Sequence, residues 1–180
     1  MTFWFTGLSG AGKTTLALAL QKYLAENDIT SVVLDGDEMR NGLNKNLGFS
    51  TEDRFENIRR ISEVAKVLVN SKLIVIVATI SPLISMRQLA RDIVGESHFK
   101  EIYINTSLAT CEKRDVKGLY QQVRAGNINQ FTGISSVYEP PLTNYFEINS
   151  DQLSLEDCIQ QLVKFVNTEI NAICTNQDVV

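Results

Sequence analysis

Short apolar runs alternate along the chain with longer stretches whose apolar residues recur every three or four positions. The runs read as strands at Phe3 to Thr6, Ser31 to Leu34, Leu73 to Ala78, Lys100 to Ile104 and Phe146 to Ile148. The periodic stretches read as helices. One covers Thr14 to Ala25, with Leu16, Leu20 and Leu24 on one face. A long one opens at a capping box of Ser50 and Asp53 and runs to about Asn70. Others cover about Ser85 to Ile93 beyond Pro82, Ser107 to about Arg114, and Leu155 to Thr168. Leu73 to Ala78 is continuously apolar, as a strand buried on both faces should be. Strands separated by helices predict an α/β fold, a three-layer sandwich of mostly parallel sheet with helices on both faces.

In such sheets ligands bind beyond the carboxyl ends of the strands. Polar or glycine-rich segments follow four of these strands in turn: Gly7 to Thr15, Asp35 to Asp37, Ile80 to Pro82, and Asn105 with Thr106. One edge of the sheet is therefore the expected site.

The first segment decides the chemistry. Gly7-Leu8-Ser9-Gly10-Ala11-Gly12-Lys13-Thr14-Thr15 fits G-x-x-x-x-G-K-[ST] between a strand and a helix, the context of a phosphate-binding P-loop. Its glycines let backbone N–H groups ring an anionic phosphate, helped by the positive end of the following helix. Lys13 supplies a point charge to the β- and γ-phosphates of ATP, and the Thr14 hydroxyl is placed to ligate Mg²⁺. Chance alone would give this spacing in roughly one chain in a hundred of this size, and the strand–helix context makes it rarer.

Asp35 and Asp37 flank Gly36 at the end of the second strand. Phosphoryl transfer needs Mg²⁺ on oxygen ligands and a carboxylate near the attacking hydroxyl, and either aspartate suits either task. Asp37 is also a candidate N-cap for a short helix through Arg40. On the long helix, Arg54 and Asn57 continue the apolar stripe of Ile58, Ile61, Ala65 and Leu68. A bound anionic ligand would satisfy them there. The alternative is a solvated Arg54 paired with Glu52, Glu56 or Glu63. Phe49 and Phe131 can stack on a purine or pack in the core. The stretch from Asp115 to Tyr138 is too long for an ordinary connection and mixes glycines, charges and aromatics. It reads as a lid over substrate, or as a passive surface insertion.

The whole chain narrows these readings. Its 180 residues, 44% of them apolar, suggest a single domain over 1–180 with a real core. A net charge of −4 gives no global basic field for nucleic acid or a membrane surface. Cys111, Cys158 and Cys174 share no metal-ligand spacing and read as reduced thiols of a cytoplasmic protein. The apolar start is too short for a signal peptide, and no run is long enough to span a bilayer. The tail after about Asn171 reads as loosely organised.

Several motifs together resemble adenylyl-sulfate kinases. They are Asp35-Gly36-Asp37-x-x-Arg40, Asn44-Lys45-Asn46-Leu47-Gly48-Phe49-Ser50, Asp53-Arg54-x-x-Asn57-Ile58-Arg59-Arg60 and Arg114-Asp115-x-Lys117-Gly118-Leu119-Tyr120. Phe131-Thr132-Gly133-Ile134-x-Ser136-x-Tyr138-Glu139-x-Pro141 completes the set, and the similarity covers about residues 3 to 165. The resemblance implies a P-loop NTPase-type sandwich, ATP and Mg²⁺, and phosphorylation of the 3′-hydroxyl of adenylyl sulfate by a homodimer in sulfate assimilation. It implies that Gly7 to Thr15 hold the ATP phosphates, with Arg114 beside the adenine. Lys13, Asp35 and Asp37 would be catalytic, with Thr14 and Asp35 toward the metal. Asp37, Arg40, Phe49, Arg54, Asn57, Lys117 and Phe131 would surround adenylyl sulfate. Ser81 matches a serine described in that family as a phosphorylated intermediate. Direct in-line transfer needs no such step, and a serine there can simply hydrogen-bond substrate or backbone.

The chain departs from the usual pattern at Leu83, Ile84, Asn105 with Ser107, and Ser135, all near the third strand end or the lid. These departures keep open a related kinase acting on another modified nucleotide, for example a cytidine diphosphate derivative. A non-catalytic nucleotide-binding protein would be favoured by loss of Lys13, Thr14 or an aspartate, and none is lost.

Overall fold

The computed structural model describes residues 1–177, with side chains through Ala172. Its elements are β1 (Thr2–Thr6), α1 (Lys13–Glu26), β2 (Ser31–Asp35), α2 (Gly36–Asn41), α3 (Thr51–Asn70), β3 (Ile74–Ala78) and α4 (Ile84–Val94). They continue with β4 (Phe99–Asn105), α5 (Leu108–Arg114), α6 (Leu119–Arg124), β5 (Tyr145–Asn149) and α7 (Leu155–Gln177). The five strands form one parallel sheet in the order β2-β3-β1-β4-β5.

Alternation along the central strands divides the core between two faces. Phe3, Phe5, Ile76, Ala78, Ile102, Ile104 and Ile148 pack with Leu16, Leu20 and Leu24 of α1 and Leu162 and Val166 of α7. Trp4, Val75, Val77 and Phe99 pack on the other face with Ile58, Ile61 and Ala65 of α3 and Met86, Ala90 and Val94 of α4. The expected three-layer α/β sandwich is present.

Differences from the sequence reading lie at element ends and inside the 115–138 stretch. Leu68 packs on the stripe of α3 as a partly buried residue, and Val69 beside it is buried and extends the stripe. Asp37 is not the N-cap of α2. Asp35 fills that place, its side chain accepting from the Asp37 N–H at 2.8 Å. The 115–138 stretch holds the short helix α6, with Asp115 accepting from the Tyr120 and Gln121 N–H groups at its start. Helix α7 runs to Gln177, beyond the expected Thr168, because Ile170 still packs on the core. Backbone expected to be loose after Asn171 is thus helical to Gln177, and the rest of that tail lies outside the described residues.

Register brings the carboxyl ends of the strands together. Asp35 and Phe5 both pair with Ala78, and Asn105 pairs with Asn149. Every segment that follows these ends opens on the same edge of the sheet.

Candidate active site

The loop between β1 and α1 is built by close approach. Gly7 has φ +150°, and a Cβ there would lie 2.7 Å from the Ile104 carbonyl oxygen, so no side chain fits. Gly12 has φ +104° and open space where a Cβ would stand, at the mouth of the cradle. Lys13 curls over the loop and its Nζ donates to the carbonyls of Gly7 (2.9 Å) and Leu8 (2.7 Å). Burial pushes its ammonium down to about 8 from an ordinary 10.5. Nearby charges on Asp35, Asp37 and Lys117 also act on it, so all of these groups share one electrostatic neighbourhood.

The first turn of α1 meets the end of β2. Thr14 Oγ1 donates to Asp35 Oδ2 at 2.7 Å, while Asp35 Oδ1 is occupied by the Asp37 amide. The hydroxyl and carboxylate thus stand side by side beside the phosphate cradle. Among the described residues no group of three or more His, Cys, Asp or Glu side chains could hold a metal alone. The Thr14 hydroxyl and the Asp35 carboxylate are hard oxygen donors of the kind Mg²⁺ takes alongside phosphate oxygens and water.

The Asp37 side chain is 64% exposed and its carboxylate contacts Lys117 Nζ from the 115–138 stretch. Because Asp35 takes the cap, Asp37 is left free to face that lysine. Arg54 is not paired with Glu52, Glu56 or Glu63. Its guanidinium donates to the Gln130 carbonyl (2.6 Å), to Thr132 Oγ1 (3.0 Å) and to the Phe49 carbonyl (2.9 Å). The 115–138 stretch therefore touches α2 through Lys117 and α3 through the Arg54 contacts to Gln130 and Thr132. Arg40 stacks over the Phe49 ring at 4.5 Å, with Arg54 at 5.7 Å. Phe49 is 59% exposed, which rules out core packing for it. Phe131 is half-buried and meets Tyr120 edge-on at 5.0 Å, and the Phe131 N–H donates to Ser135 Oγ at 2.9 Å. Asn57 is buried on α3, its Oδ1 accepting from Asn44 Nδ2 at 2.9 Å.

Arg114 lies on the far side of the phosphate loop. It donates to the Ala11 carbonyl (3.4 Å) and the Ser150 carbonyl (3.0 Å), while Thr106 Oγ1 reaches the same Ala11 carbonyl at 3.2 Å. Ser81 is 1% exposed, and its Oγ accepts from the Trp4 indole N–H at 3.1 Å. Its carbonyl accepts from Arg87 at 2.8 Å, and Arg87 also binds the Glu139 carbonyl at 2.7 Å. The side-chain contact of this hydroxyl is with a donor, the indole N–H, whereas a nucleophilic serine is activated by a hydrogen bond to a base.

The adenylylsulphate kinase family profile matches residues 1–149. The chain belongs to the adenylylsulphate kinase family. It is 50% identical over 166 residues to the probable adenylyl-sulfate kinase of Halalkalibacterium halodurans, covering 92% of this chain and 82% of that protein. It is 52% identical over 161 residues to the adenylyl-sulfate kinase of Vibrio vulnificus, covering 89% and 78%. The APS kinase CysC of Mycobacterium tuberculosis, solved in complex with AMPPNP and APS, superposes with a TM-score of 0.88. That protein is 43% identical, with 92% of this chain and 96% of that chain covered.

Within this family member, sequence reasoning assigned no role to several residues that shape the site. Tyr120 Oη donates to the Ser9 carbonyl at 2.9 Å, and Tyr138 meets Thr6 Oγ1 at 2.9 Å where β1 ends. Trp4 and Arg87 are equally concealed, because each acts on backbone or on another side chain and neither carries a spacing signature; Asn44 stands in a quoted motif, but its partner on α3 does not show in the sequence. At two departures local structure supplies a partner: Asn105 Nδ2 donates to Glu147 at 2.8 Å, and the Ile84 N–H to Glu139 at 2.8 Å.

Replacing Ser81 with alanine tests its part directly. The Trp4 N–H would lose its buried acceptor, costing about 1–3 kcal/mol of stability. Turnover per folded molecule should stay substantial. Stoichiometric labelling of Ser81 by ATP, chased to product by the acceptor, would contradict this.

Proposed function

We propose that the protein transfers the γ-phosphoryl group of ATP to the 3′-hydroxyl of adenylyl sulfate, giving 3′-phosphoadenylyl sulfate and ADP. One observation carries the reading: Lys13, the Thr14–Asp35 pair and the Asp37–Lys117 pair occupy one electrostatic neighbourhood at the strand ends. This supports a reading in which a phosphate donor site and an acceptor base face each other.

The residues divide the work as follows. The loop from Gly7 to Thr15 holds the ATP phosphates, and Arg114 borders the adenine. Lys13 leaves the carbonyls of Gly7 and Leu8 for the transferred group. Thr14 and Asp35 are the residues that would hold Mg²⁺, which supplies charge neutralisation on the phosphates when bound. Asp37 accepts the proton of the 3′-hydroxyl as that oxygen bonds to the γ-phosphorus and the bond to the β-phosphate oxygen breaks. Arg40, Arg54, Asn57 and Lys117 meet the phosphate–sulfate end, and Phe49 and Phe131 flank the adenine, with residues 115–138 as a lid. Ser81 supports this edge through Trp4 and Arg87. A homodimer in the cytoplasm belongs to the same reading, and analytical ultracentrifugation measures the assembly.

An acceptor screen with Mg-ATP and mass detection tests the reaction. Adenylyl sulfate should far outperform AMP, which lacks the sulfate the cations would meet. If AMP or a cytidine nucleotide wins, the departures at Leu83, Ile84, Asn105 and Ser135 mark a changed specificity and a related nucleotide kinase is the correct reading. Arg54→Ala should weaken acceptor use by about 2–5 kcal/mol, the cost of truncating one partner of a buried charge pair. ATP binding should hardly change. Comparable losses for both substrates in steady-state kinetics would remove Arg54 from the acceptor site.

A further inference from the structure

Asn44 lies between α2 and α3 and is fully buried. Its backbone is fixed from both sides: its N–H donates to the Met39 carbonyl at 2.8 Å, and its carbonyl accepts from the Leu47 N–H at 3.0 Å. Arg60, reaching back from α3, holds the neighbours through the Leu43 carbonyl (3.2 Å) and Asn46 Oδ1 (2.8 Å). The Asn44 side chain therefore projects from a rigid mount. Its Nδ2 crosses to α3 and donates to Asn57 Oδ1 at 2.9 Å.

That contact decides which end of the Asn57 amide is spent. A primary amide has an acceptor oxygen and a donor NH₂ of nearly equal size, so packing alone does not choose between them. With Oδ1 engaged by Asn44, only the Asn57 NH₂ remains for a ligand. Reversing both amides would keep one hydrogen bond between them but strand the Asn44 NH₂ in the interior. In the observed arrangement the one fully buried atom of the pair without a partner is Asn44 Oδ1, while the Asn57 NH₂ is the end left for a ligand. Buried donors without partners are rarer than under-satisfied carbonyl oxygens, so the observed orientation is the favoured one.

We propose that Asn44 is a positioning residue that presents the Asn57 NH₂ as a donor to the oxygen-rich acceptor nucleotide. This rests on the reading of α3 as part of the acceptor site. A phosphate, sulfate or ribose oxygen accepts from an NH₂, whereas an amide oxygen turned toward an anion would repel it.

The test is steady-state kinetics with adenylyl sulfate and ATP varied separately. The variants are Asn44→Ala, Asn44→Leu, Asn57→Ala and the double alanine variant, each with its melting temperature. Asn57→Ala should raise the acceptor KM about tenfold, the equivalent of one hydrogen bond of about 1.4 kcal/mol. Asn44→Leu, similar in size but without a donor, should raise it several-fold and leave the KM for ATP unchanged. In the Asn57→Ala background, Asn44→Ala should add almost nothing, because the two act as one unit. Effects that multiply, or an equal rise in both KM values, would overturn the proposal and leave Asn44 a folding residue only. If Asn57→Ala leaves the acceptor KM unchanged, the reading of α3 fails first and this inference with it. Should the Asn44 variants not fold, Asn57→Asp keeps an oxygen for Asn44 and removes the NH₂. A raised acceptor KM with an unchanged KM for ATP, in protein that circular dichroism shows to be folded, is then expected, and an unchanged acceptor KM would overturn the proposal.

Discussion

Lys13→Ala is expected to lower kcat by roughly 100-fold or more while leaving the fold intact, the scale seen when one preorganised charge-stabilising group is removed. The ammonium sits over the phosphate loop with only the carbonyls of Gly7 and Leu8 as direct partners. Both are backbone groups that an incoming phosphate can replace. Alanine also relieves the desolvation of a buried cation, so folded protein should be recovered in normal yield. Circular dichroism and product detection by mass check the two halves. A variant with near-normal kcat would remove the loop lysine from the mechanism.

The same residue sets a pH dependence. Burial holds Lys13 near 8 in the free protein, and a bound phosphate favours the charged form and raises that value. Nucleotide binding therefore takes up a proton above about pH 8. Affinity should be flat on the acid side and fall by up to about tenfold per pH unit on the alkaline side. The folding term has its own sign. The unfolded chain, with Lys13 at its ordinary 10.5, binds more protons than the folded chain between about 8 and 10.5. Across that window the Lys13 contribution to stability rises with pH. Titration calorimetry of nucleotide binding in two buffers of different ionisation heat measures the proton uptake.

The parts legible from sequence share one property: they repeat a local rule. Short continuous apolar runs located β1 and β3, the three-and-four spacing located α1 and α3, and the P-loop spacing located the loop between β1 and α1. Arg54 and Asn57 were legible because a polar pair on an apolar stripe is a local contradiction. Long-range contacts carry no such rule. The Trp4 indole meets Ser81 across 77 residues of chain, and Arg54 meets Thr132 across 78. The cap of α2 was misread for a related reason. Asp35 and Asp37 are chemically identical, and only the observed turn shows which one bends back to its helix.

Asp37→Asn is expected to lower kcat by about 10²–10⁴-fold, the usual contribution of a positioned general base. The KM for ATP should change little. The structure separates the two carboxylates by partner: Asp35 is bound to Thr14 and to the Asp37 amide, whereas the Asp37 carboxylate projects toward Lys117 and solvent. An asparagine keeps the shape of the side chain and the backbone contact to Asp35, but it cannot take a proton from the acceptor hydroxyl. It also cancels the charge that holds Lys117, so a modest rise in acceptor KM should accompany the loss of turnover. Asp35→Asn should behave differently, with a deficit that shrinks as Mg²⁺ is raised, because there the lost charge faces the metal position. Mg²⁺ titrations of both variants at saturating ATP distinguish the roles. If excess Mg²⁺ restores Asp37→Asn to wild-type turnover, Asp37 is a metal residue and the acceptor proton must leave by another route.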